Sequence, residues 1–270
     1  MLKKVYITFA ISVGIVLVAM ALHHSDCANR GLRVDVAKCD MANLRMDSTV
    51  VADSELEAVL KPYRDSMAIK MSRKLCDCDE DMWAERPESN LSRFLSDILL
   101  DDVRQLAREG GIPEPDFALL NMGGMRSALP KGEIRVVNVF QLAPFENSAV
   151  ALSLDSAAVC EVMAHIAERG GEAISGASFT VTEDGRVVDI VVGGKPLTGG
   201  ATYNLATIDY LATGGDDFGC LVGKDVYFQS GLPLRDMLLG HFARMGEAGL
   251  HAKAATNVRI KFMNNPKADK

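Results

Sequence analysis

The sequence has no excess of positive charge. It carries 29 Lys and Arg residues against 36 Asp and Glu residues, for a formal net charge of −7 and a pI of about 5.3. A nucleic-acid polymer is therefore not the expected partner, because that backbone usually requires a basic face. A small phosphorylated ligand is not excluded, since two or three local arginines can hold a phosphate on an acidic protein. Hydrophobic residues make up 48% of the chain, enough for a substantial core.

Cysteines are few, and their spacing defines no disulfide framework. The six are Cys27, Cys39, Cys76, Cys78, Cys160 and Cys220. Cys76 and Cys78 are too close for an unstrained bridge in most backbones. The run Cys76-Asp77-Cys78-Asp79-Glu80-Asp81 contains metal-binding residue types, but no second pair lies at zinc spacing and no histidine is nearby. We therefore expect a solvated acidic loop here.

The N-terminus has the pattern of an export segment. Lys3 and Lys4 precede a run without charge from Val5 to Leu22. A basic head before an apolar run is typical of a secretory signal or a membrane anchor. We expect residues 1–28 to be that segment, and the chain to be exported, either periplasmic or membrane-anchored at the cell envelope. Cleavage after Ala21, retention and lipidation at Cys27 stay open, and the membrane is expected only through this segment.

Residues 29–87 are expected to be a helical lead-in. The stretch Ser54 to Leu60 has helical spacing, and Pro62 is expected to break or kink the helix before it resumes. A strongly amphipathic helix is predicted from Asn90 to about Glu109, ended by Gly110-Gly111.

The remaining pattern alternates helices and strands but includes hairpins, which indicates an α+β fold with a mixed sheet. Residues 134–139 are predicted to form a strand or to lead into a short helix. Strands are predicted at 117–120, 149–154, 178–182, 187–192, 202–207 and 258–262, and helices at 156–169 and 232–244. Residues 183–186 are expected to form a hairpin turn. Residues 264–270 are expected to be a disordered tail.

The first polar motif is Asn121-x-Gly-Gly-x-Arg126, directly after a predicted buried strand. Two glycines let the backbone turn sharply or approach a ligand closely. The Asn and Arg side chains are suited to a sugar hydroxyl and an anionic group. The alternative is a plain Gly-Gly turn with a surface arginine.

Two further segments place an aromatic residue on a loop. Phe145 follows Pro144, and Tyr210 precedes Gly214-Gly215-Asp216. Two aromatics on separate loops could clamp a flat ring, and stacking contributes roughly 1–3 kcal/mol per base. A nearby carboxylate could accept hydrogen bonds from ribose hydroxyls. The alternative for Phe145 is a core position.

Taken in order, these segments resemble the C-terminal domain of the 5′-nucleotidases over roughly Glu88 to Phe262. The segments that carry the resemblance are Glu88-Ser89-Asn90-Leu91, Asn121-Met122-Gly123-Gly124-Met125-Arg126, Pro144-Phe145, Ser175-Gly176 and Tyr210-Leu211-Ala212-Thr213-Gly214-Gly215-Asp216. The resemblance implies a four-layer α/β/β/α domain over residues 88–263. It implies that Phe145 and Tyr210 stack on the nucleobase, that Asp216 holds the ribose, and that Asn121 and Arg126 reach the sugar–phosphate. The other implied substrate-binding residues are Gly123, Gly124, Asn147, Gly214 and Gly215.

The sequence departs from the family pattern at three positions. Met122 replaces the first of three usual glycines and is expected to narrow the turn. Glu146 stands where glycine is common and adds a negative charge near a site for an anion. Arg93 lies where a small or polar residue is more usual.

The chain also lacks the family's metal ligands. Hydrolysis in the family uses two metal ions held by Asp, His and Asn residues of a separate N-terminal domain. The five histidines here are His23, His24, His165, His241 and His251, and none lies in an Asp-x-His or Gly-Asn-His-Glu setting. We expect no catalytic residue, metal ligand or cofactor in this chain. Divalent metals are expected only in a partner metallophosphoesterase.

The preferred hypothesis is therefore the substrate-binding half of a 5′-nucleotidase-type phosphohydrolase. It would present a nucleoside or nucleoside monophosphate to a separately encoded metallophosphoesterase chain and be inactive alone. The alternative is a stand-alone exported nucleoside- or nucleotide-binding or sensing protein, and a third possibility is a scaffold without ligand.

Overall fold

The computed structural model of the protein describes residues 51–263. The predicted signal or anchor segment at 1–28, the start of the lead-in at 29–50 and the tail at 264–270 lie outside the described residues. Within residues 51–263, no helix has the length and apolar character needed to cross a membrane.

The described region contains six α-helices and twelve strands. The helices are α1 (Ser54–Met71), α2 (Asn90–Gly110), α3 (Val136–Leu142), α4 (Ser156–Glu168), α5 (Asp209–Ala212) and α6 (Leu234–Glu247). The strands are β1 (Lys74–Cys78), β2 (Phe117–Leu120), β3 (Gly132–Arg135), β4 (Ser148–Asp155), β5 (Ala173–Ser175), β6 (Ala177–Val181), β7 (Val187–Val192), β8 (Lys195–Pro196), β9 (Thr202–Ile208), β10 (Asp225–Pro233), β11 (His251–Ala252) and β12 (Ile260–Phe262).

The strands form three sheets, and each mixes parallel and antiparallel pairs. Their orders are β11-β1-β3, β10-β4-β9-β2-β5 and β12-β6-β7-β8. The parallel pairs are β1 with β11, β2 with β9 and β6 with β12. The predicted mixed α+β class is confirmed, whereas the four-layer arrangement stays a prediction.

Helix α2 begins and ends where its sequence indicates. At the N-terminus, Ser92 N donates to Ser89 Oγ at 3.2 Å and Ser89 N donates to Ser92 Oγ at 2.8 Å, which is a reciprocal capping box. At the C-terminus, Gly111 adopts the left-handed conformation with φ 63°, which favours glycine. The buried side of α2 contacts β2 and β5 of the five-stranded sheet.

The sequence predicts an acidic loop around Cys76. This prediction is wrong for residues Lys74–Cys78, which form strand β1. Cys76 and Cys78 are buried and Asp77 is only half-buried, so the acidic residue faces outward while the thiols face the core. Burial raises the pKa of the Cys76 thiol to about 11, so it stays protonated at neutral pH. Because β1 pairs with β3 and β11, this part of the predicted lead-in folds together with residues beyond 88.

Helix α1 runs across Pro62 as one helix rather than two. None of its residues is buried. Leu56, Val59, Leu60 and Tyr63 are exposed at helical spacing and form an apolar stripe.

The five-stranded sheet gathers the predicted binding segments at one edge. Parallel strands β2 and β9 lie side by side, so Asn121 after β2 and Tyr210 after β9 leave the sheet at the same end. Strand β4 pairs antiparallel to β9 with Ala149 opposite Ile208, which brings the Phe145 loop to that end too. Strand β5 pairs antiparallel to β2, and this register places Glu172 at the same edge.

Candidate functional site

Three of the predicted residues form a hydrogen-bonded cluster at this edge. Asn121 Nδ2 donates to Asp216 Oδ2 at 2.7 Å, and the Tyr210 hydroxyl donates to Asp216 Oδ1 at 3.0 Å. The Asp216 N–H in turn donates to the Tyr210 hydroxyl at 3.2 Å. Asn121 is 6% exposed, while Tyr210 is 41% exposed, so the cluster has a buried amide side and an open aromatic side.

The loop carrying Asp216 has an unusual backbone. Asp216 and Asp217 have φ angles of 52° and 62°, in the left-handed region that side-chain-bearing residues rarely adopt. Gly214 has φ 95°. A Cβ at Gly215 would lie 2.5–2.6 Å from three atoms of the Tyr210 ring. Tyr210 therefore lies directly against the Gly215 backbone, which explains the need for glycine there.

The main-chain carbonyl of Asp216 is held from the buried side. His165 Nε2 lies 3.0 Å from that oxygen and Arg169 Nη1 donates to it at 3.1 Å. Arg169 Nη2 also lies 3.3 Å from Asp216 Oδ2. The His165 ring lies edge-on to the ring of the buried Phe218 with 4.5 Å between centroids, and the Arg169 guanidinium carbon lies 6.0 Å from the centroid of that ring. The left-handed turn at Asp216 is thus stabilised through its carbonyl and its carboxylate together.

A fully buried carboxylate, Glu172, lies behind the cluster. Its Oε1 accepts from Arg86 Nη2 at 2.7 Å and from Arg169 Nε at 2.8 Å. Its Oε2 accepts from the Met122 N–H at 2.5 Å. Burial alone would lower the pKa of Arg169, but its hydrogen bond to Glu172 and the nearby carboxylates outweigh burial and raise that pKa.

A second group of predicted residues lines an apolar pocket next to the cluster. Phe145, Asn147 and Gly124 line it with Asn121, which also belongs to the cluster, so the two groups adjoin. The pocket contains about 410 Å³ of unfilled space, part of it open to solvent. Phe145 is 48% exposed, so the core alternative is wrong for this residue. Within residues 51–263, no ring contact joins Phe145 to Tyr210, so the predicted clamp around a ligand stays a prediction.

Arg126 and Gly123 lie on the solvent side of the Asn121 turn. Arg126 is exposed, and its Nη1 donates to the Gly123 carbonyl at a long 3.4 Å. A Cβ at Gly123 would lie 3.7 Å from Asp216 Oδ2, and one at Gly124 would lie 2.9 Å from Asn121 Oδ1. The close approach of the turn to Asn121 therefore favours glycine at position 124, whereas a Cβ at position 123 would make only an ordinary van der Waals contact.

The three departures from the family pattern each have a structural role. Glu146 is paired with Arg235, whose Nη2 lies 3.0 Å from Glu146 Oε1, so its negative charge is partly neutralised. Met122 is buried and starts a 3-10 turn whose first N–H is the donor to Glu172. Arg93 donates from Nε to the Ala255 carbonyl at 2.8 Å and thereby ties α2 to the C-terminal segment.

Sequence reasoning missed the supporting residues Arg86, His165, Arg169 and Glu172. Arg169 and Glu172 are three positions apart, but the other partners in this network are 47 to 86 positions away along the chain, so no local pattern reveals the network. A weak signal exists: Glu172 is a charged residue immediately before the buried strand β5. Such a residue requires a partner when it is buried.

The part of the chain that the structure describes contains no group of three or more His, Cys, Asp or Glu side chains that could hold a metal ion. The cluster can accept and donate hydrogen bonds, and its exposed rings can cover a planar ligand.

The family assignment follows from comparison with known proteins. Residues 77–223, more than half of the chain, match the model of the 5′-nucleotidase C-terminal domain. The chain belongs to this family.

Relatives and solved structures agree with that assignment. The chain is 24% identical over 191 residues to Protein UshA of Escherichia coli and 26% identical over 196 residues to a 5′-nucleotidase of Vibrio vulnificus. These matches cover 67% and 69% of this chain but only 33% and 34% of the relatives. The chain therefore spans about a third of the length of the curated relatives it matches.

The structure of a 5′-nucleotidase precursor from Thermus thermophilus superposes with a TM-score of 0.65 at 25% identity, covering 78% of this chain and 43% of that one. The NAD nucleotidase of Haemophilus influenzae gives a TM-score of 0.59 at 16% identity, covering 78% of this chain and 41% of that one, which is a likeness of fold.

Proposed function

We propose that this chain binds a nucleoside or nucleoside monophosphate and presents it to a separately encoded metallophosphoesterase chain. It would thus be the nucleotide-binding half of a 5′-nucleotidase-type phosphohydrolase. The observation that carries the proposal is the Asn121–Asp216–Tyr210 cluster, which lies beside an apolar pocket. The ring of Tyr210 in the cluster and the ring of Phe145 in the pocket are both exposed.

The aromatic rings would recognise the base. Phe145 and Tyr210 expose 48% and 41% of their surface. Phe145 lies in the loop before β4 and Tyr210 in the short helix α5 after β9, so both rings lie at the same end of the five-stranded sheet. A nucleobase that covers such rings removes apolar surface from water and stacks on them without strong dependence on base identity.

The polar cluster would recognise the sugar. Asp216 presents a carboxylate that accepts hydrogen bonds, and Asn121 can both donate and accept. Neighbouring ribose hydroxyls are donors that suit a carboxylate. The left-handed backbone at Asp216 supports this role, because such conformations concentrate at binding sites.

The phosphate side would remain open to a second chain. Arg126 is exposed, and within residues 51–263 its side chain donates one long hydrogen bond, to the Gly123 carbonyl. An exposed pair between such a cation and a phosphate contributes roughly 0–1 kcal/mol. The relatives are about three times longer than the matched segment, which supports a catalytic contribution from polypeptide beyond it. Export of the chain is proposed on the basic head and apolar run at residues 1–22.

We expect adenosine and AMP to bind the purified chain with affinities within about tenfold of each other, because the phosphate stays largely solvated. Calorimetric titration with both ligands measures this ratio. Phosphate release from AMP by the chain alone is expected to stay at background, with or without divalent metal. Adding the matching metallophosphoesterase should create turnover.

Three outcomes would contradict parts of this proposal. Binding of neither ligand would refute the nucleoside site. Hydrolysis by the chain alone, lost on mutating one of its residues, would refute the need for a partner. If AMP binds a hundredfold more tightly than adenosine, the phosphate pocket is complete here, and a stand-alone binding protein becomes the better account.

A further inference from the structure

The buried side of the site contains a closed circuit of contacts. It runs from the Met122 N–H to Glu172, from Glu172 to Arg169, and from Arg169 to Asp216. Asp216 then accepts from Asn121, which is bonded covalently to Met122. The turn after β2 and the loop after β9 are therefore joined twice, once directly through Asn121 and Asp216 and once through Glu172 and Arg169.

Arg169 is the member that spans the two loops. Its Nε contacts Glu172, while its Nη1 and Nη2 contact the main-chain and side-chain oxygens of Asp216. A guanidinium carries its donors in a rigid planar fork, so one side chain can set the separation and orientation of two acceptors. Its side chain is 24% exposed, so water competes little for these donors.

Glu172 holds the Arg169 guanidinium on its Nε side. Its side chain is fully buried and is compensated by Arg86, by Arg169 and by a backbone N–H. A buried carboxylate with this many partners is held in one orientation, since losing any partner leaves a desolvation penalty.

We propose that Arg169 and Glu172 are positioning residues that fix the Asp216 carboxylate against the Asn121 turn and thereby determine how strongly the site discriminates ligands carrying ribose hydroxyls. This inference rests on the proposed nucleoside site. Neither residue needs to touch the ligand. Without Arg169, Asp216 keeps its contacts with Asn121, Tyr210 and His165 but loses the second contact on its carbonyl and the second contact on Oδ2. The carboxylate can then turn away from the diol, while the exposed rings keep their position.

The test compares adenosine with 2′,3′-dideoxyadenosine, which keeps the base and lacks both hydroxyls. For the wild-type chain we expect adenosine to bind about tenfold or more tightly, as hydrogen bonds to a charged group allow. In Arg169→Gln this ratio should fall below about threefold, chiefly through weaker adenosine binding. Arg169→Lys keeps the positive charge but cannot span Glu172 and both Asp216 oxygens, so the ratio should fall there too. Arg169→Lys also provides a folded variant if Arg169→Gln is unstable, and thermal unfolding monitors each protein.

Arg186→Gln is the matched control. Arg186 also pairs with an aspartate, Asp184, through Nε at 2.6 Å, but it lies in the exposed β6–β7 turn. Its substitution should leave the ratio unchanged.

The failures of the two proposals are distinguishable. A wild-type chain that binds neither ligand overturns the nucleoside site and this inference with it. Equal binding of both ligands by the wild type preserves base recognition but overturns the inference. If the wild type discriminates and the folded Arg169 variants weaken both ligands equally with an unchanged ratio, the circuit is merely structural and the inference alone is wrong.

Discussion

Substituting Gly215 with alanine is expected to weaken adenosine binding by roughly 1–3 kcal/mol or more, the contribution of one stacked base. The added Cβ would lie 2.5–2.6 Å from the Tyr210 ring, so the ring must leave its position. The displaced ring would also release its hydroxyl from Asp216. Calorimetric titration of the variant with adenosine measures the loss.

Gly219 is the matched control for this substitution. It lies four residues later, and a Cβ there would meet nothing within 4 Å. Gly219→Ala should retain wild-type affinity. Unchanged affinity in Gly215→Ala would show that the observed packing of Tyr210 on the backbone is irrelevant to binding.

Replacing Tyr210 itself with alanine should also reduce adenosine affinity by roughly 1–3 kcal/mol, because one stacking surface is lost. The free energy of unfolding should change less, since 41% of Tyr210 is exposed. Tyr210→Phe keeps the ring and removes only the hydroxyl bonds to Asp216, each with a net contribution of about 0.5–1.5 kcal/mol. Titration and thermal unfolding of both variants separate the two contributions.

Gly215→Ala and Tyr210→Ala both act on the Tyr210 ring, so their effects on adenosine affinity should not add. A Gly215→Ala/Tyr210→Ala double variant is expected to bind adenosine about as weakly as Tyr210→Ala. If Tyr210→Ala unfolds the protein but leaves affinity intact at low temperature, Tyr210 is a core residue and the proposed clamp is wrong.

Several elements were predictable because their signals are local. The amphipathic pattern and the Gly-Gly terminus of α2 predicted a helix within one residue of Asn90–Gly110. The hairpin of β6 and β7 followed from its turn residues. The binding motifs were visible for the same reason: each places glycine and polar residues directly after or before an apolar strand.

The missed strands lack such a signal. Strand β10 has no buried residue and ends in a glycine- and proline-containing stretch, because it lies at the edge of its sheet. Strand β1 alternates cysteine with aspartate, and this pattern is typical of an acidic loop. Only the pairing of β1 with β3 and β11, which are distant in sequence, identifies it as a strand. Likewise, the role of Glu172 depends on two partners far away along the chain, Arg86 and Met122, which lie 86 and 50 residues distant.

The order of strands in the three sheets determines where this chain can be shortened. The family match ends at residue 223, yet β10, β11 and β12 all follow it. Each of them closes one side of a different sheet, against β4, β1 and β6 respectively. A truncation at the family boundary would leave rows of unpaired backbone N–H and C=O groups on three sheets at once, and such edges are templates for intermolecular pairing. Residues 224–263 therefore cover an edge strand of each of the three sheets, although the sequence motifs of the site all precede them.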